Sequence, residues 1–215
     1  MKFIKTHRHT LLMLGFTAVF IGYLTVWMPG PAAGLSLLGV EMGEWFKFLG
    51  LGPRRNLFYL PPIVLGLCLA LWTMTWPQNN WRAWFMRILA VGVSLLAFPA
   101  FEDITNADAS VREQYYLRVL LIGLVVIVAL LSGLWRPQGK WRRVPWFLMA
   151  AVSLIGLVLP TWQYLQIRPY INQVLGVSIG VGVGVWLNGA GFLMIFAVTV
   201  LETFVIKRTT SKADI

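Results

Sequence analysis

Six apolar runs, at 11–28, 57–76, 84–101, 117–135, 144–162 and 184–206, punctuate this chain. A helix needs roughly 17–25 apolar residues to cross the ~30 Å hydrocarbon core of a bilayer, and each run has about that length. Because lipid offers no hydrogen bonds, every backbone N–H and C=O must be satisfied within the segment, which makes helix the form such a run takes. The expectation is an all-α polytopic transmembrane helix bundle of about six spans, forming a single integral membrane domain over 1–215. Composition points the same way. Hydrophobic residues make up 58% of the chain and charged residues 12%, with a mean hydropathy of +0.73. Soluble domains carry roughly a quarter charged residues. The 84–101 run is the least regular, since it includes Arg87, which would have to extend its guanidinium back to the headgroups from the first turn.

Orientation follows from the Lys and Arg between the runs. Twelve of the 18 fall in one set of segments: Lys2, Lys5, Arg8, Arg82, Arg87, Arg136, Lys140, Arg142, Arg143, Lys207, Arg208 and Lys212. The alternate segments hold Lys47, Arg54, Arg55, Arg112, Arg118 and Arg168, together with six of the eight acidic residues. The positive-inside rule makes the first set cytoplasmic, which places both termini inside a cell membrane. The formal charge of +10 is therefore read as a set of topology determinants facing anionic lipid, and nucleic acid is not expected as a partner. The first run follows a basic start, as a signal peptide would. Its 18 apolar residues exceed a usual signal core, and Pro29-Gly30-Pro31-Ala32-Ala33 lacks a small-x-small cleavage site, so retention is expected.

Two features bear on architecture within this frame. The segment Pro77-Gln78-Asn79-Asn80-Trp81-Arg82 recurs 60 positions later as Pro137-Gln138-Gly139-Lys140-Trp141-Arg142, and each copy leads into an apolar run that ends on a proline, Pro99 or Pro160. Three tandem helical hairpins would produce this pattern; convergent interface chemistry is the alternative. Separately, 35–49 places Leu35, Leu38, Met42, Trp45, Phe46 and Leu49 on one helical face, with Ser36, Glu41, Glu44 and Lys47 largely opposite. That pattern predicts an interfacial surface helix. Further on, Ser110-Val111-Arg112-Glu113 fits a capping box, so the fourth long helix should begin just ahead of its apolar run.

Chemistry is sparse. The single cysteine, Cys68, excludes an intramolecular disulfide and is expected to be a buried small hydrophobe. His7 and His9 both precede the first run, so neither can ligate haem inside the bilayer. Ser94 and Ser153 have no basic partner at nucleophile spacing, and no zinc-protease, serine-hydrolase or nucleotide-loop signature occurs. The acidic stretch 101–109 lacks the glycine and terminal glutamate of a calcium loop. No cofactor and no metal are expected, and catalysis is not.

Three groups remain as candidates. Gly176, Gly180 and Gly184 recur every four residues and Asn188 continues the series, which predicts a helix-contact face; an extended segment is the alternative, because Gly180, Gly182 and Gly184 also alternate with Val. Glu202 is the one ionisable residue well inside an apolar run, and pairing with a nearby basic residue is expected over a transport role. Arg54 and Arg55 lie where basic residues are disfavoured. Salt bridges to Glu41 and Glu44 are expected there, with an anion or lipid headgroup gripped by the arginine pair as the alternative. The function these features favour is a non-catalytic membrane subunit or accessory protein, with protein partners in the bilayer. A small-solute permease or exporter component is the alternative; quinone or pigment held through aromatics and backbone would be a third class.

Overall fold

In the computed structural model the chain is all-helical apart from one two-stranded ribbon. The structure describes residues 2–30, 36–48, 50, 52–77, 80–100, 104–105 and 109–211. In chain order these form α1 (Lys2–Leu24), β1 (Val26–Met28), β2 (Leu37–Leu38), α2 (Gly39–Trp45), a 3-10 helix (Gly52–Tyr59), α3 (Leu60–Thr73) and α4 (Trp81–Ser94). A short 3-10 turn (Leu95–Ala97), α5 (Ala109–Leu134), a second 3-10 helix (Gly139–Arg143), α6 (Val144–Leu175) and α7 (Val183–Ser211) complete the chain. Among the described residues, four helical stretches are long and apolar enough to cross a membrane: Gly52–Thr73, Arg112–Leu134, Trp141–Leu175 and Val183–Phe204.

The centre of the bundle is α3. Every residue from Leu60 to Thr73 is buried, as expected of a helix apolar on all its faces. It is enclosed by α1, α4, α5 and α6. Gly66 lets α4 approach so closely that a Cβ there would lie 2.6 Å from the Ala90 carbonyl oxygen. The surrounding helices bury only their inner sides. On α5, Leu117, Leu120, Leu124, Ile127, Leu131 and Leu134 form an exposed aliphatic stripe, and α6 and α7 add outward Ile155, Val158, Leu193 and Phe204. A soluble protein rarely leaves so much apolar surface contiguous.

α1 packs most extensively on α7, so the first and last long helices are the closest pair. Their contacts step by two turns: Arg8 meets Glu202, Gly15 meets Ile195, and Gly22 meets Asn188, positions seven apart on each helix and running in opposite directions. A seven-residue step is the seam of a left-handed antiparallel pair. Glycine faces glycine twice along it. A Cβ on Gly184 would sit 2.6 Å from the Gly22 carbonyl, and one on Gly191 would sit 2.7 Å from that of Gly15.

Several sequence expectations are corrected. The run at 11–28 leaves helix at Leu24, and Val26–Met28 pairs with Leu37–Leu38 as an antiparallel ribbon. That pairing turns Leu37 inward, and the predicted surface helix 35–49 contracts to Gly39–Trp45. Met42 and Phe46 are buried as the amphipathic pattern requires; Trp45 is exposed, and Leu35 and Leu49 lie outside the described residues. Pro160 does not end the fifth run: α6 continues through Pro160 and Pro169 to Leu175. Proline at 160 costs the bond to the Gly156 carbonyl, while Gly156 itself admits the Phe192 ring, to which an added Cβ would come within 2.7 Å. Arg87 does not reach for the surface. It turns inward and is 3% exposed, donating from Nε to Ser132 Oγ at 2.9 Å and from Nη2 to the Ser132 carbonyl at 2.8 Å. α5 begins at Ala109, ahead of its apolar run as expected. The acidic residues Glu102, Asp103 and Asp108 lie outside the described residues.

Candidate functional site

The end of the bundle that carries α2 is held by a second apolar cluster, in which Trp27, Met42, Phe46, Phe58, Tyr164 and Ile167 are buried. Trp27 is its pivot. Its ring meets Phe58 and Tyr164 edge-on, each at 6.3 Å, and its indole N–H donates to the Gly22 carbonyl at 2.9 Å. This packing seats the 3-10 helix Gly52–Tyr59 under α2 and against the first turns of α5.

Two arginines are buried between these elements. Arg55, on the 3-10 helix, and Arg118, on α5, are each 1% exposed. Between them stands one carboxylate, Glu44 of α2: Arg55 Nη1 and Arg118 Nη1 each lie 3.8 Å from its oxygens. Tyr59 Oη donates a hydrogen bond to Glu44, and Gly43 gives the Tyr59 ring its room, since any side chain there would overlap the ring. Arg118 stacks over Tyr59 with its Cζ 3.8 Å from the ring centroid, and both guanidiniums flank Tyr115 at 5.1 and 5.2 Å. Asn56 Nδ2 ties the 3-10 helix to α5 through the Gln114 carbonyl at 2.6 Å.

Donors outnumber acceptors here. Arg55 Nε and Nη1, all three Arg118 nitrogens and the hydroxyls of Tyr23 and Tyr115 are buried without a hydrogen-bond partner among the described residues. At 3.8 Å the Glu44 contacts are ion pairs but lie beyond hydrogen-bond reach. Removing a guanidinium from water costs several kcal/mol, so two of them beside one carboxylate are an expensive arrangement. Stacking on tyrosine offsets part of that cost, about 2 kcal/mol or more for a desolvated pair.

The candidate residues from the sequence separate in space. Arg54 and Arg55 diverge: Arg55 enters the cluster, whereas Arg54 is exposed and lines a cavity of about 350 Å³ with Gln163, Gln166, Ile167 and Tyr170. Arg55 meets Glu44; Glu41 instead accepts from the Leu38 backbone N–H at 3.0 Å, capping α2. Arg118 joins the site from α5, pairing with Glu44 and stacking on Tyr59. The available signal was its place among the basic residues on the disfavoured side.

Gly176, Gly180, Gly184 and Asn188 do not share one helix face. Gly176 caps α6 at φ 65°, a left-handed conformation suited to glycine, and the chain then runs without helix until α7. Three α6 side chains spaced four apart hold that stretch: Tyr164 Oη donates to the Gly180 carbonyl at 2.7 Å, Arg168 Nε to that of Ile179 at 2.5 Å, and Asn172 Oδ1 accepts from the Ile179 N–H at 2.9 Å. Only Gly184 and Asn188 belong to the α1–α7 seam. The other seam glycines, Gly15 and Gly22 on α1 and Gly191 on α7, fall outside a four-residue series because the seam repeats at seven.

Glu202 is 4% exposed and accepts from Arg8 Nη1 of α1 at 3.2 Å, the pairing with a basic residue that was expected. Because Arg8 is 40% exposed, solvent screens the pair and Glu202→Gln should cost less than about 1 kcal/mol. Thermal unfolding in detergent would check this, and loss of ion-coupled solute uptake in a variant that folds normally would instead make Glu202 functional. Ser94 and Ser153 hydroxyls bond back to their own helices, to Val91 and Ala150 carbonyls at 2.8 and 2.9 Å. Cys68 is fully buried in α3.

Comparison with protein-family models, with curated proteins and with solved structures found no match. The fold and site define a helical bundle with four bilayer-length helices among its described residues, capped at one end by a buried ionic cluster.

Proposed function

We propose that this is an integral cell-membrane protein of six spans in three successive hairpins, both termini cytoplasmic, which acts without catalysis as a subunit or accessory component of a larger membrane assembly. α1 and α4 supply the two spans beyond the four stretches that are long and apolar enough to cross a membrane. The observation that carries the functional part is the position of α3. A carrier of solutes needs a path between its helices, and here the axis of the bundle is filled by a helix buried along its whole length. The outward aliphatic stripe on α5 offers surface to lipid and to partner helices alike. The α2-end cluster supports the same reading, because its guanidinium and phenol groups are hydrogen-bond donors suited to holding an anionic group.

Two experiments test this. Reporters fused after Gly139 and Ile215 are expected to report cytoplasm, and those after Gly52 and Gly176 the exterior; an external signal at Gly139, beside the densest basic cluster, overturns the topology. Purification in mild detergent is expected to bring down other membrane chains in fixed stoichiometry. A monodisperse protein that moves a solute across liposomes on its own overturns the subunit role in favour of a permease.

A further inference from the structure

Buried charges in folded proteins have partners, and a buried donor without one calls for an explanation. Among the described residues, five guanidinium nitrogens on Arg55 and Arg118 lack a hydrogen-bond partner, as do the hydroxyls of Tyr23 and Tyr115. The groups are concentrated, since both Nη1 atoms flank the same Glu44 carboxylate and both guanidiniums lie over Tyr115. Tyr23 is within electrostatic reach of Tyr59, Arg118 and Glu44. A single carboxylate has two oxygens and one charge, too few for this number of donors and for two cations.

We propose that the Arg55–Arg118 pair is a binding site for a phosphate group, with the Glu44 carboxylate as the internal competitor for the same two guanidiniums. Phosphate fits better than a second carboxylate because it brings more acceptor oxygens and up to two charges, and planar guanidiniums bind it bidentately. Entry is provided by Glu44, whose side chain is 48% exposed although both arginines beneath it are buried. An arriving phosphate therefore meets Glu44 first, and displacing that side chain towards solvent opens both Nη1 atoms. Tyr59, which donates to Glu44, is placed to transfer its hydrogen bond to the ligand. The phosphate can come from a phospholipid headgroup or from solution. This inference goes beyond the subunit proposal and does not need it.

The test uses the full-length protein, delipidated in a neutral detergent, with unfolding temperature and calorimetric binding as readouts. Inorganic phosphate, compared with chloride at equal ionic strength, is expected to raise the unfolding temperature if the site takes soluble phosphate. Nanodiscs of phosphatidylglycerol, compared with a neutral glycolipid, are expected to raise it if the site takes a headgroup. Glu44→Gln removes the competitor at a half-exposed position and is expected to tighten binding about tenfold, the equivalent of one modest ion-pair contact. Arg118→Gln is expected to abolish the response. Should that variant fail to fold, the Glu44→Gln comparison decides alone. The proposal is overturned if neither phosphate source stabilises wild type or Glu44→Gln beyond its control, or if Glu44→Gln weakens binding.

Discussion

Gly22→Leu is expected to break the α1–α7 contact, while Gly180→Leu leaves it standing. A Cβ on Gly22 would fall 2.6 Å from the Asn188 backbone nitrogen and 2.9 Å from the Gly184 carbonyl oxygen. These are main-chain atoms, which cannot rotate aside as a side chain could, so the helices must separate. Overpacking a core typically costs about 1–3 kcal/mol, and a clash with the α7 backbone should reach or exceed the top of that range. Separation also strains the hydrogen bond from the Gly182 N–H to the Trp27 carbonyl at 2.9 Å, which ties the chain entering α7 to the α2-end core. In lipid little hydrophobic drive would bring the helices back, since contact depends on packing and polar groups. At Gly180 the nearest atom to an added Cβ is Pro29 Cγ at 3.9 Å, an ordinary contact. Denaturation in a graded mixture of mild and harsh detergents measures both variants. Equal loss from the two would refute the seam.

Ser132→Ala should destabilise the protein more than Arg87→Met, although the arginine is much the larger side chain. Ser132 Oγ accepts from Arg87 Nε at 2.9 Å, lies 2.9 Å from the Thr73 hydroxyl, and donates to the Ala129 carbonyl at 2.7 Å. Arg87 Nη1 already lacks a hydrogen-bond partner, although the guanidinium stacks on Trp84 with Cζ 4.7 Å from the ring. Removing the serine hydroxyl strands Nε as well, leaving only the Nη2 bond to backbone. Losing a hydrogen bond to a charged group costs about 1.5–3 kcal/mol. Arg87→Met removes charge and donors together and keeps an unbranched apolar chain against Trp84. Replacing a buried charge network with apolar atoms of similar size is commonly neutral or stabilising. The same detergent titration compares the two, and a greater loss from Arg87→Met would show that the cation itself holds α4 to α5.

The pairing of Glu44 with Arg55 was legible in the sequence because it needs only proximity along the chain, with both residues in one segment between apolar runs. Arg118 was not, since it lies more than 60 positions further on and reaches the site only when α5 packs beside the 3-10 helix. Glu202 was recognisable from its apolar surroundings, but its partner Arg8 sits near the other end of the chain. Gly176 shows the converse case. Its spacing to Gly180 and Gly184 matched a helix stripe, yet its role is local, a left-handed cap that stops α6.

Run length and hydropathy are properties of a segment by itself, and they determined that the chain would form long apolar helices separated by basic turns. Which side of each helix meets which neighbour was decided only in the folded bundle. In water a helix advertises its buried face through the contrast between apolar and polar sides, but where lipid and protein core are both apolar that contrast disappears. Small residues, and the few polar groups that must find partners away from water, then settle the packing: Gly15 and Gly22 against Gly191 and Gly184, Arg87 on Ser132, and Arg118 beside Arg55.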